Sequence, residues 1–296
     1  MKHKQEMYRA EGVTDSEYWI DVNLPFPSKL IRQRYTADSI IQYKKVNPSK
    51  KIYLIHFEER LESMQLASEV ISDAHLFDFI FTSNRDIVNA VPNAQWTPLA
   101  ECWTNGSMKG IDKINRTAEA KEKQFNVSFL TTSKSNHGGA YDIRQHIMEN
   151  VSDIKIPINF YDSNAHPSGS VYPILPQSNT FQISDKIHLY KSMFNICPEN
   201  ISGKEENFSQ RLIDCFINKT IPIYRGYENI HEHFNIDGMI IAKDGDDAIT
   251  KINKLTPEYY NERLNAINDN YNRCIQNEYH LGPGQRISNI ILKQSN

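Results

Sequence analysis

The sequence predicts an α/β fold of two domains, each built around a parallel sheet. Short apolar runs typical of buried strands alternate with segments of helical periodicity, and this alternation favours parallel sheets. A polar segment over residues 105–123 interrupts the alternation. The 296 residues are enough for two ordinary domains with a core each. We predict one domain over residues 1–115, a second over 116–280 and a tail over 281–296.

The elements of the first domain follow from the length and spacing of its apolar runs. In chain order we expect a strand over residues 17–24, a helix over 39–46, a strand over 51–57, a helix over 63–71, a strand over 77–82 and a helix over 85–91.

The second domain continues the same alternation and ends in a long amphipathic helix. Thr256 is its expected cap, and Pro257 suits the first turn. In chain order we expect a strand over 126–132, a helix over 140–151, a strand over 158–161, a helix over 185–193, a strand over 193–197, a helix over 209–217, a strand over 220–224, a helix over 227–234, a strand over 238–242, and helices over 248–255 and 257–279. This is the pattern of a nucleotide-binding domain.

Composition narrows the class of protein. Hydrophobic content of 39% and a net charge of −3 describe a soluble globular chain with no general attraction to nucleic acid. The four cysteines are far apart and form no C-x-x-C pair, which suits a reducing cytoplasm. No signal peptide or membrane-spanning run is apparent. We expect a cytoplasmic protein without a transmembrane anchor; peripheral membrane association stays open.

The stretch from Phe194 to Gly226 is the most informative part of the chain. It reads as a strand, a polar loop, a helix and a second strand. Ser209 or Asn207 can cap the helix, whose N-terminus would present backbone N–H groups and a positive dipole end. Such an end stabilises anions, so a diphosphate is the candidate ligand.

This stretch resembles the C-terminal motif of the family 10 glycosyltransferases, the α-1,3/4-fucosyltransferases. Phe194, Glu199 and Asn200 match its FxxxxEN opening, residues 208–212 its VTEKL positions, and residues 220–226 its TIPIYWG closing. The resemblance implies a GT-B fold, with two Rossmann-like domains facing across a cleft. It also implies an abbreviated N-terminal domain here and a C-terminal tail that returns to that domain.

The resemblance assigns the donor site to the second domain. Arg211 replaces the family's lysine facing the diphosphate, and Gln210 replaces the glutamate near the ribose. A further family arginine has no clear counterpart, and Tyr172 lies in the nearest comparable segment. The expected donor-binding residues are Arg211, Gln210, Ser209, Glu199, Asn200, Lys204, Arg144 and Tyr172.

An inverting transfer also needs a base that takes the proton of the acceptor hydroxyl. The resemblance places an acidic residue just after a strand of the first domain, where Glu58 and Glu59 follow the predicted strand. Glu58 is the first choice and Glu59 the second. Alternatively, both are solvated charges at a strand end. No metal or other cofactor is expected.

The expected function is therefore the transfer of fucose or a similar sugar from a nucleotide diphosphate, GDP-fucose first, to a glycan hydroxyl. An inactive nucleotide-sugar or glycan-binding module is the alternative that Gln210 and the missing arginine suggest. A third reading is a metal-dependent GT-A enzyme using Asp244 and Asp246; otherwise Asp246 or Asp247 caps a helix. The spacing of His231 and His233 suits no zinc pair.

Overall fold

A computed structural model describes residues 17–21, 36–46, 48, 51–56, 66–98, 100–102, 104, 123–131, 141–163, 180–183, 186–203 and 206–294. The chain forms two compact units, one of residues 1–99 with 282–296 and the other of residues 100–281. The predicted boundary near residue 115 falls in a segment, 105–122, outside the described residues. No helix among the described residues is long and apolar enough to cross a bilayer.

The first unit contains a parallel sheet in the order β1-β2-β3-β4. Its strands are β1 (Glu17–Asp21), β2 (Lys51–His56), β3 (Phe79–Thr82) and β4 (Ala94–Trp96), and its helices are α1 (Ala37–Val46), α2 (Ala67–Asp73) and α3 (Arg85–Ala90). The predicted strands and helices of this domain are confirmed, with shifted ends. Strand β4 was not predicted, because three half-buried residues give no periodicity.

Both faces of this sheet are covered. Ile52, Leu54 and Ile80 pack in a cluster with the helices α1 to α3. The opposite face, with Tyr53, Ile55 and Phe81, packs against Ile287 and Ile291 of a C-terminal helix over Pro283–Gln294. Alternate residues of β2 therefore enter two different cores, which explains why the strand is apolar throughout.

The second unit contains a six-stranded parallel sheet in the order β7-β6-β5-β8-β9-β10. Its strands are β5 (Gln124–Thr131), β6 (Ile158–Ser163), β7 (Thr180–Ile183), β8 (Ser192–Gly203), β9 (Ile221–Tyr227) and β10 (Ile240–Ile241). Numbered along the unit, this order is 3-2-1-4-5-6, which is the doubly wound order of dinucleotide-binding domains. From β5 the next two strands along the chain, β6 and β7, are added on one side, and β8, β9 and β10 on the other. The direction in which strands are added therefore reverses between β5 and β8.

Helices α4 (Tyr141–Glu149), α5 (Gln210–Ile217), α6 (Gly245–Ile252), α7 (Pro257–Asn261) and α8 (Leu264–Gln276) accompany this sheet. The core is apolar and aromatic, with Phe129, Phe160 and Phe194 from three neighbouring strands. All four cysteines are free and buried, as expected for thiols that pack as small hydrophobes.

Several predictions for the second unit were wrong in detail. The segment predicted as a helix over 185–193 forms a 3₁₀ helix over Lys186–Lys191, and the one over 227–234 forms only the 3₁₀ turn Ile230–Glu232. Ile230 and Phe234 are both buried, so their spacing imitates a helix while spanning a single turn. Strand β8 continues to Gly203 through part of the predicted loop, and the predicted long helix is divided between Asn261 and Leu264. Strand β7 was not predicted.

Candidate functional site

The candidate site lies at the carboxyl edge of the second unit's sheet, where the winding reverses. In sheets of this kind ligands bind outside the carboxyl ends of the strands, at the reversal point. Here that point is the end of β5 and β8. Helix α4 follows β5 and helix α5 follows β8, so both helices begin at this edge. The topology thus brings two helix N-termini to one place.

Arg144 connects the two halves of the sheet at this point. It lies in the second turn of α4, is 7% exposed, and donates a hydrogen bond from Nη2 to the carbonyl oxygen of Pro198, 2.8 Å away. A buried guanidinium needs such acceptors, because its charge is removed from water. Arg144 therefore fixes β8 at Pro198 and places a positive charge at the reversal point.

Glu199 stabilises the start of α5 through a hydrogen bond to the residue that caps it. It is buried, and its Oε1 accepts a hydrogen bond from the backbone N–H of Ser209 at 2.9 Å. Gly226 of β9 lies so close that an added Cβ would be 2.7 Å from Cγ of Glu199 and 2.3 Å from the Tyr224 hydroxyl. Position 226 therefore requires glycine, which has no Cβ. Burial first, and then the Glu199 charge, raises the pKa of Tyr224, so its hydroxyl stays protonated.

The N-terminus of α5 is largely capped by groups of the protein itself. The predicted cap Ser209 is confirmed: its hydroxyl accepts the Arg211 N–H, and its carbonyl accepts the Leu212 N–H. These contacts leave the N–H of Gln210, at the first position of the helix, for a ligand. An anion at this helix end would depend on cationic side chains as much as on the helix.

Two cations lie close to this helix start. Burial lowers the pKa of Lys186; the Asp214 carboxylate opposes this effect, and the Arg211 guanidinium adds to it. Arg211 itself is half-buried in the first turn of α5. Lys186 was not among the predicted site residues, because its segment was predicted only to be a helix and contains no recognisable motif. Its proximity to Arg211 results from the crossover between β7 and β8.

Asp214 adds a second buried carboxylate to this region, besides Glu199. It is 0% exposed, lies one turn after Arg211, and its Oδ1 accepts a hydrogen bond from the Thr104 hydroxyl at 3.1 Å. Glu206, the carboxylate that precedes α5, lies with its Oε1 2.9 Å from Nε2 of His233.

Some predicted site residues lie outside the described part of the chain. Glu58, Glu59, Lys204 and Tyr172 are among them, and for Asn200 only the backbone, within β8, is described. The described residues that the fold brings together are Arg144, Glu199, Ser209, Gln210 and Arg211.

The aspartates after β10 have contacts that explain them without a metal ion. Asp244 caps α6 by accepting the Asp247 N–H at 2.8 Å, so the predicted cap at Asp246 or Asp247 was wrong by two or three positions. Asp247 pairs with Lys251, and Asp246 contacts His146. The cap was predicted too late in the chain because apolar residues at helical spacing begin only at Ala248.

Comparison with known proteins yields matches of structure only. No protein-family model matches the chain, and no curated protein matches it in sequence. Anabaena Alr3699/HepE in complex with UDP is 8% identical, with a TM-score of 0.55 over 87% of this chain and 77% of the other. An α-glucosyltransferase bound to UDP and a 13-mer DNA is 12% identical, with a TM-score of 0.52 over 95% and 80%.

An α1,3-fucosyltransferase with GDP-fucose also matches. It is 17% identical, and its TM-score is 0.47 over 73% of this chain and 69% of the other. Together with the parallel sheets of both units, the two stronger likenesses decide the fold class. The fold is that of a GT-B glycosyltransferase. The predicted α/β class of GT-B type is confirmed.

Proposed function

We propose that this protein is an inverting glycosyltransferase that moves fucose from GDP-fucose to a hydroxyl group of a glycan. The supporting observation is the carboxyl edge of the second unit's sheet, where Arg144 is buried at the reversal point and α5 begins with Arg211 in its first turn. The resemblance of residues 194–226 to the fucosyltransferase motif supports the choice of sugar and nucleotide.

In the proposed reaction the acceptor oxygen attacks the anomeric carbon from the face opposite the diphosphate. The bond from that carbon to the diphosphate oxygen breaks, and GDP leaves with its electron pair. Glu58 takes the proton of the acceptor hydroxyl, and Glu59 is the second choice for this role. Arg211, Lys186 and the Gln210 N–H stabilise the charge that develops on the diphosphate.

In this proposal cationic side chains, and not a metal ion, neutralise the diphosphate. A guanidinium presents two parallel donors that fit phosphate oxygens. Burial and, to a lesser extent, the Arg211 charge lower the pKa of Lys186, and an anion bound beside the two cations would stabilise the charged lysine. The buried Asp214 carboxylate keeps the local charge from becoming excessive before the donor binds.

Titration calorimetry with GDP, UDP and CMP, followed by transfer assays with the corresponding labelled nucleotide sugars, tests the proposal. We expect GDP to bind most tightly and GDP-fucose to support transfer to oligosaccharides that carry free hydroxyls. Tighter binding of UDP, together with turnover of a UDP-sugar, would support the proposed transferase activity but contradict the proposed donor. Binding without transfer to any acceptor would favour a nucleotide-sugar-binding module, and no nucleotide binding would refute both.

A further inference from the structure

A group of three metal-ligating side chains lies beside the start of α5, apart from the residues assigned to the donor. Glu206 precedes α5, while Glu232 and His233 belong to the 3₁₀ turn that follows β9 and to its C-terminal cap. One ligand atom from each of the three side chains lies within 4.8 Å of the others. We propose that Glu206, Glu232 and His233 form a binding site for Zn²⁺.

Burial and charge favour a cation at this place. The side chains of Glu206 and His233 are only 7% and 13% exposed, and Oε1 of Glu206 lies 2.9 Å from Nε2 of His233. Two carboxylates and a neutral imidazole carry a charge of minus two, which a divalent ion neutralises. Because attraction between opposite charges is stronger away from water, this neutralisation is most effective at buried ligands.

The walls of the site are aromatic. The Phe208 ring, which is fully buried, lies with its centroid 5.1 Å from that of His233, and the Tyr227 ring lies at 6.2 Å. These rings keep water from the buried side of the imidazole and restrict its rotation. A histidine held in place loses less conformational entropy when it binds an ion.

The three ligands, and the tyrosine that is hydrogen-bonded to one of them, suit Zn²⁺. Imidazole nitrogen and carboxylate oxygen are ordinary zinc ligands, and three protein ligands leave a fourth position for water. Glu232 is exposed, so this position would lie on the solvent side. The Tyr227 hydroxyl donates a hydrogen bond to Oε2 of Glu232 at 2.9 Å and orients the carboxylate, as outer partners of metal ligands do.

The ion would join two segments that are distant in sequence. It would connect the chain leading into α5 to the turn after β9, and would thereby stabilise the position of Phe208 and Ser209. This role is structural and independent of the proposed transfer. No sequence motif indicates this site, because Glu206 is 26 and 27 positions away from the other two ligands and one of the three ligands is a histidine.

Titration calorimetry with Zn²⁺ alone, on the full-length protein treated with chelator and then freed of it, tests the site. We expect one equivalent to bind and to raise the Tm in a saturable manner. The variants Glu232→Gln and His233→Gln should each weaken binding by more than about tenfold, since even outer partners of a metal site contribute that much. Glu232 is exposed, so its variant is expected to fold normally, which circular dichroism without metal verifies.

His231→Gln and Glu228→Gln are the matched controls. Both residues are exposed and close in sequence to the proposed ligands, and neither belongs to the group of three. Their affinity for Zn²⁺ should equal that of the wild type. The site is refuted if the wild type shows no saturable binding, or if the controls lose affinity as much as the ligand variants. Because no nucleotide is present in this experiment, either result leaves the proposed transferase activity untested and intact.

Discussion

Lys186 and Arg211 illustrate how single residues acquire a role only through the fold. They are separated by 25 positions, and the crossover into β8 brings them close enough for the Arg211 charge to contribute to the lowered pKa of Lys186. A sequence motif can assign Arg211 because it lies in a matching stretch. No local pattern distinguishes Lys186 from a surface lysine, since its function depends on a contact between distant elements.

For Arg211→Ala we expect a fall in kcat/KM for the sugar donor of about 100-fold, the loss typical of removing one group that stabilises developing charge. The affinity for GDP should fall as well, because the diphosphate remains after transfer. Steady-state kinetics and calorimetry measure both effects. Lys254→Ala is the control, since this exposed lysine follows the far end of α6. Wild-type kinetics in Arg211→Ala would count against the assignment.

A second residue-level prediction concerns the base. Glu58→Gln should lower kcat by about 10²-fold to 10⁴-fold, the usual contribution of general base catalysis, and should leave the affinity for GDP unchanged. Glu59→Gln is the matched control, because it alters the same charge one position later. Rapid-quench measurement of transfer separates the two variants. If only Glu59→Gln is inactive, Glu59 is the base.

Lys123 gives a prediction about pH. Its ammonium donates to the Thr220 hydroxyl at 2.8 Å, and burial lowers its pKa to about 7 from 10.5. Between these two values the unfolded chain holds a proton that the folded chain has released. Stability should therefore rise from pH 7 towards pH 10, by up to about 1.4 kcal/mol per pH unit.

Urea unfolding of the wild type and of Lys123→Met at several pH values isolates this contribution. The variant has a side chain of similar length and no charge, so its stability should vary less between pH 7 and pH 10. The difference between the two proteins is the measured quantity, because other groups that titrate in this range are common to both. Parallel curves would refute the prediction.

At the scale of elements, periodicity identified strands better than helices. Residues 52–56 and 221–223 are almost fully buried, so their apolar runs clearly predicted strands. The buried residues Tyr227, Ile230 and Phe234 have helical spacing, which a 3₁₀ turn satisfies equally well. Near Lys186 the buried residues Leu189 and Tyr190 are adjacent and do not distinguish a 3₁₀ helix from an α-helix. Strands β4 and β7 are short, and β4 is half-buried, so neither carries a clear alternation.

Helix α6 offers an element-level prediction. Asp244→Ala removes the cap that accepts the Asp247 N–H, and should lower the free energy of unfolding by about 1 kcal/mol. Asp244→Asn keeps an acceptor oxygen and should retain most of the stability. Thermal unfolding measures both.

Asp246→Ala is the control for this cap. The Asp246 side chain is 87% exposed and contacts the partly exposed His146, a type of pair that contributes little. We therefore expect an almost unchanged Tm. Under the GT-A reading Asp244→Asn and Asp246→Ala would both abolish transfer, whereas under the capping reading both remain active.

At the scale of the whole molecule, the two units differ in how far sequence could predict them. The motif at residues 194–226 lies within the second unit, whose strand order explains the position of the site. The first unit is completed by residues from the far end of the chain, and only the resemblance, not local periodicity, suggested this return. Pairing between distant segments is decided by packing, which a single sequence does not display.

The C-terminal helix provides the last prediction. Ile287 is 0% exposed and packs on Tyr53 and Phe81, so Ile287→Ala should cost about 2–5 kcal/mol through lost burial and a cavity. Because these contacts belong to the first unit, amide exchange should accelerate in β2 and β3 and remain slow in β5 and β8. Ile267→Ala, a matched change at a residue 3% exposed in the second unit's core, should give the opposite pattern. Equal acceleration in both sheets for both variants would mean that the units unfold together.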